Sequence, residues 1–147
     1  MRAVVMKKRK EDSGKTPEVK IVWDVTTGDE KIFEDRLGLI QHTAEILLRR
    51  GMTPKFAIVI HGPATAFVTK AVSKTKYSTA IYERMEKIHE VLAAMNKKGA
   101  CFIQCQVPMT RNDVSEDNLF PFVEVSENIF VDLALLQRDG YSYIPIQ

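Results

Sequence analysis

A cysteine lies at the end of a short apolar run, where a reactive thiol would be well placed. Residues 100–105 (Ala-Cys-Phe-Ile-Gln-Cys) are typical of a buried strand, and a polar loop over 106–113 follows them. In open α/β sheets, the working groups lie in the crevice above the carboxyl ends of the strands. Cys105 is therefore a candidate nucleophile, and the alternative is that it is only a small buried hydrophobe.

Other polar residues are predicted to reach the same edge of the sheet. His61 ends an earlier apolar run, where it would bind a substrate or act as a base toward Cys105, or simply cap the loop before Gly62 and Pro63. Arg111 follows Cys105 by six residues and is a candidate for holding an anionic substrate or partner, the alternative being a solvated loop charge. Thr27 and Gly28 come directly after the first predicted strand and are also candidates for binding a substrate or partner.

Disulfide, metal and cofactor chemistry is not indicated by the residue spacings. Cys101 and Cys105 are the only two cysteines. On one strand their Cα atoms would be about 13 Å apart, beyond the ~7 Å that a disulfide allows. Cys101 is predicted to be a core residue, His42 a surface residue and His89 a packing residue. No zinc-ligand spacing and no phosphate-binding glycine loop is present, so the sequence predicts neither a metal nor a cofactor.

Composition is typical of one soluble domain. The 147 residues carry a net charge of +2, with 45% apolar and 27% charged residues. The basic residues 7–10 lie in a segment, 1–17, that is predicted to be a flexible basic leader before a single domain over 18–147. Without them the chain is slightly acidic, which argues against a nucleic-acid partner. No apolar stretch approaches the ~20 residues of a membrane span, and we expect a cytoplasmic protein without a membrane partner.

Strand and helix patterns alternate along the chain. Strands are predicted at 19–25, 55–60, 100–106, 121–125 and 141–146, and helices at 30–50, 64–70, 79–97 and 126–140. In the last helix, Phe130, Leu133 and Leu136 are predicted to face inward. This alternation predicts right-handed crossovers and an α/β fold, a three-layer α/β/α sandwich with a mainly parallel five-stranded sheet.

The arrangement of the first three strands decides which residues meet. If they take the common order 2-1-3, the strand order reverses between strands 1 and 3. Thr27 and Gly28 would then face Cys105 across the crevice. The helix that begins after Asp29 would point its amino terminus at the thiol, where its free N–H groups favour an anion.

Five sequence segments follow one another in a recognisable order: 22–29 (VWDVTTGD), 61–63 (HGP), 99–105 (GACFIQC), 119–125 (LFPFVEV) and 135–144 (LLQRDGYSYI). Together they resemble the DsrE/DsrF-like family. The likeness extends over residues 19–145, and the sandwich is expected to be flavodoxin-like or DsrE-like.

The resemblance implies a homotrimer, or a hexamer of two trimers, that works in a sulfur relay. In relay members a cysteine after the third long strand accepts sulfur as a persulfide and passes it on, and Cys105 matches that position. The relay needs no metal and no nucleotide, only sulfur donor and acceptor proteins. Some relatives carry a second cysteine soon afterwards, whereas residues 106–113 contain none.

Three functions follow from this sequence. The first is intracellular sulfur trafficking on Cys105, which requires an accessible thiol. The second is a non-catalytic homo-oligomeric binding module that holds a small ligand or partner loop in the strand-end crevice, where Cys105 is buried or inert. The third is a small enzyme that attacks an activated substrate through Cys105.

Overall fold

Five strands, every neighbouring pair of them parallel, form the sheet at the centre of the molecule. The computed structural model describes residues 16–147, so nearly all of the predicted basic leader lies outside the described residues. The strands are β1 (Glu18–Val25), β2 (Thr53–Ile60), β3 (Cys101–Cys105), β4 (Val123–Ser126) and β5 (Ser142–Ile146). The predicted α/β fold with a parallel five-stranded sheet is confirmed.

Within residues 16–147, four α-helices connect or cover the strands. Helix α1 begins after Asp29, whose side chain accepts a hydrogen bond from the Ile32 amide at 3.0 Å and so caps the first turn. It ends before Gly51, which has the positive φ of 75° that glycine adopts without strain. The helices are α1 (Glu30–Arg49), α2 (Met85–Lys97), α3 (Gln106–Arg111) and α4 (Ile129–Arg138).

Short 3₁₀ segments account for much of the rest of the chain. The segment predicted as a helix over 64–70 is a 3₁₀ segment, Gly62–Val68, and a further 3₁₀ turn lies at Glu116–Asn118. None of the described helices is long and apolar enough to cross a bilayer.

Strand order differs from the 2-1-3 arrangement expected for the first three strands. The observed order is β4-β3-β2-β1-β5, so β2 lies between β1 and β3, and the order reverses between β1 and β5. The expected crevice between strands 1 and 3 therefore does not exist. The apolar pattern of strand 2 could not reveal this order. That pattern indicates a strand buried on both faces, and it is the same whichever strands become its neighbours.

Crossover handedness then fixes which helix covers which face. The chain moves in one direction from β1 to β4, so right-handed crossovers place α1 and α2 on the same face. Phe33 and Leu37 of α1 and Ile88 and Leu92 of α2 accordingly share the main core. The return from β4 to β5 runs the opposite way, and α4 covers the other face with Ile129 and Leu133 in a smaller core.

Helix α2 begins later than the predicted start at residue 79. The Glu30 carboxylate accepts hydrogen bonds from the Glu83 and Arg84 amides, both at 2.9 Å, so the chain stays non-helical until Met85. Ile81, which a helix over 79–97 would carry on its apolar side, is 87% exposed as a result. A carboxylate 53 residues earlier in the chain thus decides where α2 starts.

Leu37→Ala and Leu39→Ala form a matched pair on one helix. Leu37 is 2% exposed in the main core and Leu39 is 50% exposed. We expect Leu37→Ala to lower the free energy of unfolding by about 2–5 kcal/mol, because it removes buried methyl groups and leaves a cavity. Leu39→Ala should change it by no more than about 0.5 kcal/mol. Urea denaturation measures both, and equal losses would contradict the placement of α1.

Candidate functional site

Four polar or nucleophilic side chains stand side by side at the carboxyl edge of the sheet. The β2–β3 ladder pairs Ile60 with Gln104, so the next residues, His61 and Cys105, are neighbours on adjacent strands about 4.8 Å apart. Cys105 in turn pairs with Ser126 of β4. Thr26 follows β1 on the other side of His61, whose amide donates to the Val25 carbonyl at 3.2 Å.

His61 and Cys105 also point to the same face. Both residues have extended backbone, so side-chain alternation continues through them. Cys105 lies on the face of Val59 and Ile103, which α4 covers. The predicted proximity of His61 and Cys105 is therefore present, although within residues 16–147 no hydrogen bond joins the two side chains.

The Cys105 side chain is buried rather than accessible. It is 4% exposed and packs with Ile129 and Leu133 of α4. Beside it, the Ser126 hydroxyl donates to the Asp132 carboxylate and ties the end of β4 to the first turn of α4. The accessible thiol that the relay requires is therefore not found in this conformation.

Gln104 fixes the backbone that carries the thiol. This fully buried amide, on the opposite face from Cys105, donates to the Cys105 carbonyl and to the Thr65 hydroxyl, both at 2.9 Å. Because both acceptors are buried, their geometry is constrained. The main chain of Cys105 is therefore held in place by a hydrogen bond where β3 ends and α3 begins.

Asp24 is the centre of a hydrogen-bonded cluster on three strands. This carboxylate of β1 is buried, with Oδ1 at 2.5 Å from Nε2 of His61, and its Oδ2 accepts the hydroxyl hydrogen of Tyr143 from β5. The cluster lies at the carboxyl edge, next to the place where the strand order reverses between β1 and β5. Ligand sites of open α/β sheets form at such reversals.

In this cluster the pKa of Asp24 is lowered and the pKa of Tyr143 is raised. Burial raises the pKa of Asp24, but the hydrogen bonds from His61 and Tyr143 and the charge of His61 together hold it below its usual value. The hydrogen bond to Asp24 is the main reason that the pKa of Tyr143 rises to about 12. At neutral pH the cluster therefore contains a carboxylate and a neutral phenol.

An exposed aromatic ring borders this cluster. Phe130, in the first turn of α4, is 70% exposed and sits edge-on to His61 with ring centroids 6.3 Å apart. The prediction that it faces the core is wrong, because Ile129 and Leu133 occupy the inner stripe of α4 and Phe130 lies one position away from it. Together with Tyr143, which is half-exposed, Phe130 forms an apolar rim around His61.

Thr27 and Gly28 support the loops at the site without facing the thiol. The Thr27 hydroxyl accepts the Asp29 amide hydrogen at 3.2 Å. At Gly28 a Cβ atom would stand 2.6 Å from Cβ of Pro63, so this position needs glycine to let the loop after His61 pack closely. β2 separates both residues from Cys105.

The expected role of the first helix terminus is not supported. The amino end of α1 lies on the face opposite to Cys105, since α1 packs in the main core and Cys105 in the smaller one. The helix dipole is therefore not directed at the thiol. Residues 106–111, expected to lie in a polar loop, form α3 instead, and Arg111 ends this helix as an exposed side chain. Its role in holding an anionic substrate or partner stays a prediction.

The remaining cysteine and histidine predictions are partly corrected. Cys101 is the first residue of β3 and is exposed, not a core residue, because α4 does not extend over that end of β3. Both cysteines are free. His42 is exposed and His89 packs against Phe120, as predicted.

No second site of comparable chemistry is found elsewhere in residues 16–147. An apolar pocket lies at the amino edge of the sheet between α1 and α2, lined by Ile40, Ala44, Phe56 and Met95, far along the strands from Cys105. Over the same residues, no group of three histidine, cysteine or acidic side chains is arranged to hold a metal ion.

Sequence reasoning missed Asp24 and Tyr143 as site residues. Asp24 is a charged residue in the otherwise apolar end of β1, and a buried charge normally signals a partner. Tyr143 offered no such signal. Its role follows from the pairing of β5 with β1, which joins residues 119 positions apart.

Comparisons with known proteins agree with this architecture. The model of the DsrE/DsrF-like family matches residues 37–146. An uncharacterized protein of Aquifex aeolicus (strain VF5) is 30% identical over 128 residues, which covers 86% of this chain and 56% of that protein. The chain thus spans little more than half the length of this curated relative.

A solved structure is similar in fold. The protein of unknown function MTH1491 from Methanobacterium thermoautotrophicum superposes with a TM-score of 0.67 and 14% sequence identity, over 86% of this chain and 98% of its own. At this identity the likeness shows the fold alone, which is DsrE-like.

Asp24→Asn should lower the pKa of Tyr143 from about 12 toward the ordinary tyrosine value of about 10. A neutral amide at position 24 no longer opposes the phenolate charge, so the phenol loses its proton at lower pH. Phenolate absorbance measures this, with Tyr143 assigned by subtracting a Tyr143→Phe version of each protein. Tyr77 and Tyr82, whose pKa values burial raises, serve as internal controls. A Tyr143 titration that Asp24→Asn leaves unchanged would contradict the cluster.

Proposed function

The chain belongs to the DsrE/DsrF-like family, which is associated with sulfur relay, and we propose that it traffics sulfur as a persulfide on Cys105. The observation that carries this proposal is the place of Cys105. It ends the third strand at the carboxyl edge of the sheet, directly beside His61. A thiol next to an imidazole has a proton acceptor within reach, as nucleophilic cysteines require.

The proposed transfer needs only thiol chemistry. The Cys105 thiolate attacks the outer sulfur of a donor persulfide, forming a new S–S bond while the bond to the donor sulfur breaks. The donor leaves as a thiol after taking up one proton. An acceptor thiolate then attacks the outer sulfur on Cys105 in the same way, so no net oxidation occurs.

Burial of Cys105 sets a condition on this transfer. Since Ile129 and Leu133 cover the thiol, the first turn of α4 must move before a donor can reach it. The hydrogen bond between Ser126 and Asp132 must open in that movement. Local openings of this kind lie within the free energies that folded proteins sample.

The partners proposed are sulfur donor and acceptor proteins and other copies of the chain, with the cytoplasm as the compartment. Self-association is supported by apolar side chains that α4 leaves exposed. Phe130, Val131 and Leu135 are each more than two-fifths exposed on this one helix. Clustered exposed apolar residues of this kind are typical of interaction surfaces.

A second candidate is favoured by the 4% exposure of Cys105. In this alternative the protein is a non-catalytic oligomeric binding module. The rim of Phe130, His61 and Tyr143 would then hold a small ligand or partner loop, while Cys105 serves only in packing. Cys105→Ser would leave that binding unchanged.

Intact-protein mass spectrometry after incubation with a persulfide donor distinguishes these functions. We expect a gain of about 32 Da per sulfur that reductant removes. Cys101→Ser should load like the wild type, because Cys101 lies at the opposite end of β3 from His61, whereas Cys105→Ser should not load. Sulfur on Cys101, or no adduct on a folded protein, would overturn the relay, and the latter would leave the binding module.

Self-association is tested by light scattering. We expect a mass three or six times the 16.7 kDa of the chain. Val131→Lys should reduce it to that of one chain, because it places a charge among the exposed apolar residues of α4. The matched control is Leu48→Lys on α1, which is also exposed but lies on the opposite face. A wild-type mass of one chain would contradict the assembly.

A further inference from the structure

We propose that Asp24 and Tyr143 are positioning residues that make His61 the proton acceptor for the Cys105 thiol. The proposal rests on the sulfur-carrying role of Cys105 and adds the means by which its thiolate forms. It is carried by two contacts on one carboxylate: Nε2 of His61 at 2.5 Å from Oδ1, and the Tyr143 hydroxyl on Oδ2.

The hydrogen bonds determine which nitrogen of His61 is free. Asp24 is ionised at neutral pH, because hydrogen bonds outweigh its burial and keep its pKa low, so its oxygens can only accept. Nε2 of His61 must then carry a hydrogen. In the neutral ring, Nδ1 therefore has the lone pair that accepts a proton.

The same contacts hold the ring in place. Asp24 belongs to β1, His61 follows β2 and Tyr143 belongs to β5, so three strands of the sheet fix the geometry. Tyr143 occupies the second carboxylate oxygen and keeps the first directed at His61. Phe130 of α4 closes on the ring from a further side. A carboxylate that orients an imidazole also stabilises its protonated form.

Within residues 16–147, few titratable or charged groups lie around His61. β1 presents Asp24, β5 presents Tyr143 and β3 presents Cys105. On α4, Phe130 presents an uncharged ring, and the Asp132 carboxylate already accepts a hydrogen bond from Ser126. Since His61 and Cys105 are neighbours on one face, the imidazole is the base that the sheet brings to the thiol. Proton transfer belongs to the opened state, in which a donor enters beside them.

In the proposed transfer, His61 takes up one proton and later gives it back, so that protons balance. Nδ1 takes the proton of Cys105, giving a thiolate and an imidazolium whose charge Asp24 offsets. The thiolate takes the outer sulfur of the donor persulfide, and the donor sulfur leaves with the bonding electron pair. His61 returns the proton to that sulfur, so the donor departs as a thiol and His61 is neutral again.

Alkylation of Cys105 by iodoacetamide tests the proposal without any sulfur donor. All proteins carry Cys101→Ser, so Cys105 is the only thiol. At neutral pH we expect Asp24→Asn and His61→Asn to lower the alkylation rate about tenfold or more. Tyr143→Phe, which keeps the carboxylate, should cause a smaller loss.

Glu124→Gln is the control for charge alone. Glu124 lies on β4, which adjoins β3, and its side chain is on the same face as Cys105. It is nearer to Cys105 across the sheet than Asp24 is, and it has no contact with His61. We expect its alkylation rate to stay within about twofold of the parent. An equal loss in Glu124→Gln and Asp24→Asn would overturn the positioning role.

Chemical rescue separates proton acceptance from a structural role. Added imidazole should restore part of the rate in His61→Ala, which a loss of packing would not allow. Rates in Asp24→Asn and His61→Asn that match the parent would overturn the proposal.

Nitrogen NMR of the unsubstituted protein keeps the test valid if Asp24→Asn fails to fold. Neutral His61 should show a protonated Nε2 and an unprotonated Nδ1, and the reverse tautomer would overturn the proposal. The two experiments distinguish failure of the sulfur relay on Cys105 from failure of His61 as its proton acceptor. Unsuccessful sulfur loading with His61-dependent alkylation overturns the relay alone, whereas loading with His61-independent alkylation overturns the proton acceptor alone.

Discussion

The handedness of parallel crossovers is the constraint from which the rest of this structure follows. Four strands are added in one direction and the fifth returns beside the first, so right-handed connections must put α1 and α2 on one face and α4 on the other. Within residues 16–147, the face with Cys105 therefore has one covering α-helix instead of two. That single helix buries the thiol, carries the exposed aromatic rim and leaves the other end of β3 open.

A buried carboxylate is the second organising feature. An unpaired charge inside a sheet costs several kcal/mol, so Asp24 persists only because two donors reach it. One donor, His61, follows β2, and the other, Tyr143, is the second residue of β5. The cluster therefore joins three strands and also shifts the pKa values of Asp24 and Tyr143. The hydrogen bonds of Asp24 with His61 and Tyr143 therefore serve both the stability of the sheet and the proposed chemistry. The edge where the strand order reverses is thus held rigid where a ligand would bind.

Cys105 meets two opposing demands. Packing against Ile129 and Leu133 contributes apolar burial to the smaller core, whereas nucleophilic cysteines are usually partly exposed in an electropositive environment. The two demands are compatible if the first turn of α4 moves while the sheet does not. Its hydrogen bond from Ser126 to Asp132 is a single link, but Cys105 itself is fixed by Gln104 through the main chain. In the proposed opening, the part of the site that moves and the part that stays in place therefore belong to different elements.

The sequence by itself determined the strands, the approximate spans of α1 and α4, and the presence of His61 and Cys105 at strand ends, because these depend on apolar periodicity and local turn signals. It did not determine α3, which forms within a segment expected to be a polar loop. Tertiary structure decided the strand order, the late start of α2, the exposure of Phe130 and Cys101, and the pairing of Asp24 with Tyr143. Each of these depends on contacts between distant parts of the chain, such as Glu30 with Arg84 or β1 with β5. Local periodicity has no information about such contacts, since it is the same whichever strand becomes the neighbour.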